Sequence, residues 1–179
     1  MDKLAHYTEL NPYKINENVF KLLDVQWMLI TAGNEDKYNT MTASWGGLGV
    51  LWNKSIATIY IRPQRYTFEF VENNSIFNLS FFDKKYKPAL NFCGSKSGRD
   101  YDKAKETGLT PVITPNGCIS FQESYLSIDC NKIYADNIKQ EAFIDKAIIE
   151  KVYPTKDFHR FYIGEIVGCY LNEENHNSI

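Results

Sequence analysis

A chain of 179 residues, 44% hydrophobic and 15% aromatic, is long enough to build one domain around its own core. A formal net charge of −2 argues against a nucleic-acid binder with a basic surface. No run reaches about 18 apolar residues, so no membrane span is predicted. The N-terminal MDKLAHYTELNPYK lacks an apolar signal core. The expectation is a single cytoplasmic domain over residues 1–179 with Cys93, Cys118, Cys130 and Cys169 reduced. No two of these form a CxxC pair, so no metal site is predicted.

In chain order, INENVFKLLDV predicts a helix with Asn16 as its cap, and VQWMLITAG (25–33) a buried strand ending at Gly33. GNEDKYN is polar turn material. In NTMTASWGG (39–47), Thr40, Thr42 and Ser44 alternate with Met41, Ala43 and Trp45, the period of a pleated strand. The glycines after Trp45 predict a turn away from that strand, or a close approach of something to its backbone. SIATIYIRP (55–63) is a β-branched strand stopped by Pro63, TFEFVENN (67–74) a short helix capped by Thr67, and SIFNLSFF (75–82) another strand. DKKYKPALNFCG (83–94) reads as a helix begun by Asp83. DYDKAKETG (100–108) reads as a helix capped by Asp100 and ended by Gly108. CISFQESYLSIDCNKIYA (118–135) and HRFYIGEIVGCYL (159–171) read as strands, whereas QEAFIDKAIIEKV (140–152) fits helix or strand. Six or more β-segments among short helices predict a mainly β fold, a small barrel or sandwich with helical insertions.

Charge is uneven along the chain. Residues 84–105 hold seven Lys/Arg against two acids, a local +5, whereas residues 123–179 hold six bases against ten acids, a local −4. Within the basic block, CGSKSGRD (93–100) combines two glycines, two serines, Lys96 and Arg99 just before a helix. Inward-turned backbone N–H groups, hydroxyls and cations are what a phosphate needs, although a solvated loop with a helix cap would read the same. The GxxxxGK[ST] spacing of a P-loop is absent. IRPQRYT (61–67) offers Arg62, Arg65, Tyr66 and Thr67 after a proline-stopped strand, either an anion grip or a surface turn. GGLGVLW puts Trp52 where GxGxxG needs its third glycine, so a Rossmann site is unsupported. Trp45 fits core or interface as well as a ligand face. His159 stands alone before a strand, with His6 and His176 near the termini, and a lone histidine is usually structural or solvated. No nucleophile elbow is present. An anion site without acid–base machinery suits a cofactor that carries its own chemistry.

Taken together, YNTMTASWGGLGVLWNK, IYIRPQRYT, LSFF, NFCGSKSGRDYDKAKETGLTP and FYIGEI resemble, in order and over about residues 10–170, the flavin reductase-like family of FMN-binding split-barrel proteins, flavoredoxin-like branch. The resemblance implies a six-stranded antiparallel split β-barrel with short added helices, and a homodimer with one FMN per subunit near the interface. It implies that Thr40, Met41, Thr42, Ala43, Ser44 and Trp45 run along the flavin ring edge. Arg62, Pro63, Arg65, Tyr66 and Thr67 would meet the phosphate end, and Ser80, Phe81 and Phe82 would flank the ring. Cys93, Gly94, Ser95, Lys96 and Ser97, with Arg99, would complete the phosphate and ring contacts, and His159 would lie near the nicotinamide or flavin face. The activity implied is an NAD(P)H-dependent flavin oxidoreductase that takes hydride from transient NADH or NADPH and passes electrons to a flavin, a metal or a protein. The alternative is a non-enzymatic FMN-binding electron-transfer protein reduced by a redox partner. No nucleic-acid or membrane partner is expected.

Overall fold

The structure is a computed structural model that describes residues 1–4 and 6–175; His176 lies outside them. Short strands β1 (Asp2–Lys3) and β2 (Thr8–Glu9) precede a π-helical segment, Lys21–Gln26, whose first turn is capped by Asn18 Oδ1 accepting from the Lys21 N–H at 3.1 Å rather than by Asn16. There follow β3 (Met28–Gly33), β4 (Tyr38–Ala43), β5 (Gly46–Leu51), β6 (Lys54–Ile61), helix α1 (Tyr66–Asn73) and β7 (Ile76–Phe81). The remainder is α2 (Lys87–Ser95), α3 (Lys103–Thr107), β8 (Pro111–Ile113), β9 (Ile119–Phe121), β10 (Leu126–Asn137), α4 (Ala147–Val152) and β11 (Arg160–Leu171).

The large sheet runs β4-β3-β7-β10-β11-β6-β5, with β2 joined to β11, and every ladder in it is antiparallel. A separate small sheet holds β1, β8 and β9. β3 is buried along its whole length because both of its faces are covered. Met28 and Ile30 enter the main core with Ile59, Phe77, Leu79 and Ile128. Leu29, one residue along and on the opposite face, packs with Phe82, Leu90 and Phe121 beneath α2. β4 follows the same logic: Met41 joins the main core, while Thr40 and Thr42 face the helices instead of water. β11 crosses the core at Gly164, where a side chain would collide with the Phe77 ring and Cys130.

The expectation of a mainly β antiparallel fold with helices holds, but the sheet is open; it is not a closed six-stranded barrel. Its edge strands β4 and β5 are consecutive in the chain, joined by Ser44 and Trp45 alone, yet no ladder links them among the described residues. Seven strands laid flat would separate those edges by about 29 Å at ~4.8 Å per strand, whereas three Cα steps reach only about 11 Å. The sheet therefore curls until its edges meet at a corner, where the chain passes on without turning back. Bulges in the β10–β11 ladder, between Asp129 and Cys130 and between Lys132 and Tyr134, supply local bend.

Three local expectations are corrected. The glycines after Trp45 lie within β5, where the close approach holds, since a Cβ at Gly46 would come within 2.8 Å of the Thr58 carbonyl oxygen, but the turn does not: the reversal comes later, at the two-residue turn of Trp52 and Asn53 (φ 52° and 57°) into β6. Thr67 lies inside α1, whose N-cap is Arg65. Asp102, not Asp100, caps α3, accepting the Lys105 N–H at 3.2 Å, and Gly108 ends it in the left-handed region at φ 71°. The ambiguous 140–152 segment is a 3₁₀ turn followed by α4. All four cysteines are free, buried thiols. Among the described residues no helix is long and apolar enough to cross a membrane.

Candidate functional site at the sheet seam

Where the edges meet there is an open-sided cleft of about 170 Å³. The end of β4 and the corner contribute Met41, Thr42, Ala43, Ser44 and Trp45; β6 contributes Tyr60; the turn beyond it contributes Arg62 and Arg65; and His159 enters just before β11. The β6–β11 register explains the last meeting, because Ile61 pairs with Arg160 and so brings Arg62 and His159 to the same end of the ladder.

β4 is an edge strand, so one side of its backbone has no strand partner. The Thr40 carbonyl on that side accepts from the Lys103 ammonium at 2.8 Å, and the same ammonium donates to the Cys93 carbonyl at 2.8 Å. By the two-residue period, the backbone groups of Thr42 face the same way, along the cleft. Lys103 is 7% exposed, and burial is the main reason that its pKa falls to about 8, with Arg65 adding to the effect. Cys93 remains a protonated thiol, its pKa pushed up to about 11 by burial.

The cations of the cleft differ in how they are engaged. Arg62 forms an ion pair with Asp157, donates to the Val152 carbonyl at 3.0 Å, and lies 5.3 Å from the Tyr153 ring centre. Asp157 also accepts from Thr155 Oγ1 and Gln64 Nε2, and these bonds, with Thr155 first, hold its carboxyl well below the usual range. Arg99 pairs with Glu69 and covers the Tyr66 ring at 4.6 Å. Among the described residues the Arg65 guanidinium donates only to the Gly94 carbonyl, at 2.9 Å, and Lys96 lies over the Tyr101 ring at 5.6 Å. Neither Arg65 nor Lys96 forms an ion pair among the described residues.

His159 is 7% exposed, its ring 5.2 Å from that of Trp45, and its Nδ1 is 2.8 Å from the Tyr153 hydroxyl. Burial, with Arg62 and then Arg65 repelling a second proton, lowers its pKa to about 4 against the opposing pull of Asp157. It is a neutral imidazole at pH 7.

The fold thus brings Thr42 to Trp45, Arg62, Arg65 and His159 onto one surface, with Gly94 on its flank. Gly94 sits there because a Cβ would come within 3.3 Å of the Thr42 Cβ, and Gly98 because one would strike Asn39 Oδ1. Pro63 lies in the turn closed by the Arg65 N–H to Arg62 carbonyl bond at 3.0 Å. Tyr66 and Thr67 belong to α1 beside the cleft, where Thr67 Oγ1 accepts from Asn39 Nδ2 at 2.7 Å. Ser95 and Ser97 hydroxyls bond locally, to the Phe92 carbonyl and the Arg99 N–H. Ser80, Phe81 and Phe82 do not line the cleft: Ser80 is bonded to Asn78 and Ser120 in the interior, and the two phenylalanines belong to the two core clusters. Sequence reading missed Tyr60, Lys103, Tyr153 and Asp157. Tyr60 had a signal, since its alternation places it on the face of β6 that ends at Arg62; the others act across long separations.

The seam of the open curled sheet thus carries two arginines and no carboxylate in its lining. Comparison with known proteins gives the family. Residues 23–179 match the flavin reductase like domain, and the chain belongs to that family. Among solved structures it is similar to the flavoredoxin of Desulfovibrio vulgaris (TM-score 0.64, 21% identity, 83% of this chain and 70% of that one). It is also similar to an FMN-binding domain of a flavin reductases-like enzyme from Shewanella baltica (TM-score 0.69, 16% identity, 99% and 82%). A third likeness is to an NADH:FAD oxidoreductase of Streptomyces globisporus in complex with NAD and FAD fragments (TM-score 0.60, 13% identity, 80% and 73%). Comparison with curated proteins gave no match.

Proposed function

We propose that this flavin-binding redox protein holds FMN across the seam and works in the cytoplasm as an NAD(P)H-dependent oxidoreductase, delivering electrons to a flavin, a metal or a protein. The observation that carries this reading is a cleft with an unpaired backbone edge on one side and, on the other, Arg65, which forms no ion pair among the described residues. The residues fit the cofactor. The outward backbone groups of β4 at Thr42 match the polar rim of a planar ring, with Ala43 and Trp45 against its apolar body. Arg65 and Lys96, with the Ser95 and Ser97 hydroxyls, supply the phosphate end. Arg62 and Arg99, each held by a carboxylate, shape the cleft instead of adding free charge. Bound FMN supplies the hydride and electron chemistry; Trp45 and His159 bound the space where the electron donor would lie. The expected result is bleaching of the visible flavin absorbance on mixing with NADH or NADPH. No bleaching with either, together with reduction by a ferredoxin-type protein, would replace this reading by a non-enzymatic electron carrier, the role that the flavoredoxin likeness favours.

The cleft is smaller than the ~300–1,000 Å³ of a typical enclosed ligand site, so it covers one edge of a flavin and leaves a face open. At the far end of the β5–β6 hairpin, Val50, Leu51 and Trp52 are exposed, and Val50 shares an apolar groove with Tyr13, Val19 and Ile166. A free strand edge with apolar side chains is a surface that proteins cover, and a second copy of the chain is the proposed cover, completing the site. Light scattering at micromolar concentration should give twice the 20.7 kDa chain mass; a monomeric mass would remove the homodimer.

A further inference from the structure

The connection between β10 and β11 carries α4 to Val152 and then passes Arg62 to reach His159. It is pinned at three points: the Val152 carbonyl and the Asp157 carboxylate on Arg62, and the Tyr153 hydroxyl on His159 Nδ1. The hydroxyl of Tyr153, a residue 4% exposed, has no other hydrogen-bond acceptor among the described residues. A buried phenol proton needs an acceptor, and the only one in reach is Nδ1. The imidazole proton then belongs on Nε2. That nitrogen has no partner among the described residues, yet no buried side-chain nitrogen or oxygen is left unpaired, so Nε2 opens onto the cleft that His159 lines.

We infer that Tyr153 is a positioning residue that fixes His159 as the Nε2–H tautomer, so that the cleft presents a neutral hydrogen-bond donor to a carbonyl or carboxamide oxygen of the molecule that shares it with the flavin. Only the identity of that molecule rests on the flavin reading. The charged and titratable groups around the ring are Arg62 from the end of β6, Arg65 from the start of α1, Asp157 from the ring's own connection, and Tyr60 across the cleft. The arginines oppose a second proton on the ring, and Asp157, which would favour one, is engaged by Arg62, Gln64 and Thr155. A donor that does not change charge near neutral pH follows from this arrangement.

The test is long-range ¹H–¹⁵N correlation of the imidazoles in the full chain at pH 7 and pH 5. His159 is expected to show an unprotonated Nδ1 and a protonated Nε2 at both values. An Nδ1–H ring, or a His159 that titrates near the ordinary histidine value, overturns the inference. In Tyr153→Phe the single tautomer should give way to a mixture, and the KM for the nicotinamide donor should rise about fivefold with kcat little changed, the worth of one neutral hydrogen bond. A Tyr153→Phe protein that keeps a pure Nε2–H ring overturns the role of Tyr153. If that variant does not fold, the wild-type spectrum still decides. A wild-type chain with the expected tautomer but no flavin binding would retire the flavin reading and leave this one standing.

Discussion

Replacing Arg65 and Lys96 together by alanine should weaken FMN binding by about 10²–10⁴-fold. Each charge-assisted hydrogen bond to a phosphate contributes about 1.5–3 kcal/mol, and a tenfold change in affinity is about 1.4 kcal/mol. These two are singled out from the four basic residues of the site because of what the other two are doing. Arg62 is held by Asp157 and by the Val152 carbonyl, and Arg99 by Glu69. A phosphate would have to displace a carboxylate to use either. Arg65 spends one bond on the Gly94 carbonyl and keeps the rest of its guanidinium free; Lys96 rests on an aromatic face. Fluorescence titration of the apoprotein with FMN is the measurement. Unchanged affinity in the double variant would show that the phosphate lies elsewhere. Arg62→Ala should act differently, by loosening residues 152–159, with a smaller direct effect on the phosphate.

Lys103→Met should destabilise the fold by about 2–4 kcal/mol. The substitution keeps the apolar stem but takes the donor from the Cys93 carbonyl and leaves the Thr40 carbonyl with its longer 3.4 Å bond from Asn39 Nδ2, and an unsatisfied buried acceptor costs about 1–3 kcal/mol. Part of this is offset, because a buried charge is removed. The pH dependence follows with a definite sign. The folded-state pKa of Lys103, about 8, lies below the ordinary 10.5. Folding therefore favours the neutral amine, and the unfolded chain binds more protons between those values. Wild-type stability should rise as pH increases from about 8 to 10.5, and Lys103→Met should lack that rise. Urea unfolding at several pH values, with the slope unchanged, measures both effects. A variant as stable as the wild type would mean that the two carbonyls find water or other donors. Because Lys103 ties β4 to the end of α2, flavin affinity should fall as well.

Local signals in the sequence were sufficient for the strands and for most helices. The alternation in residues 39–45 and the β-branched run at 55–61 each declare their period within a few residues. Helix caps were less legible, since Asp100 and Asp102 are equally plausible caps until one side chain is seen to turn toward the Lys105 N–H. The resemblance implied a six-stranded split barrel, and pairing patterns in a sequence do not show whether two edges join. The open seam depends on Ser44 and Trp45 forming a corner, and neither residue type signals one. Arg62, Arg65, Lys96 and Arg99 looked alike as a set of cations. What separates them is Glu69 and Asp157, and Asp157 stands 95 residues from Arg62. Ser80 and Phe81 lie in a strand whose two faces are both interior, with Phe82 buried just beyond its end, which a single stretch of sequence does not reveal.

The strand order also has a consequence for how the molecule assembles. β3 with β4 and β5 with β6 are neighbours in the chain and can pair early at little entropic cost, whereas β3–β7, β7–β10 and β6–β11 join segments far apart in sequence. The cleft draws on residues from 41 to 159 and so exists only after those distant joins are made. A ligand that binds there stabilises the chain only once those joins are complete. Flavin should leave the refolding rate nearly unchanged and slow unfolding instead, lengthening the life of the folded chain without guiding its route.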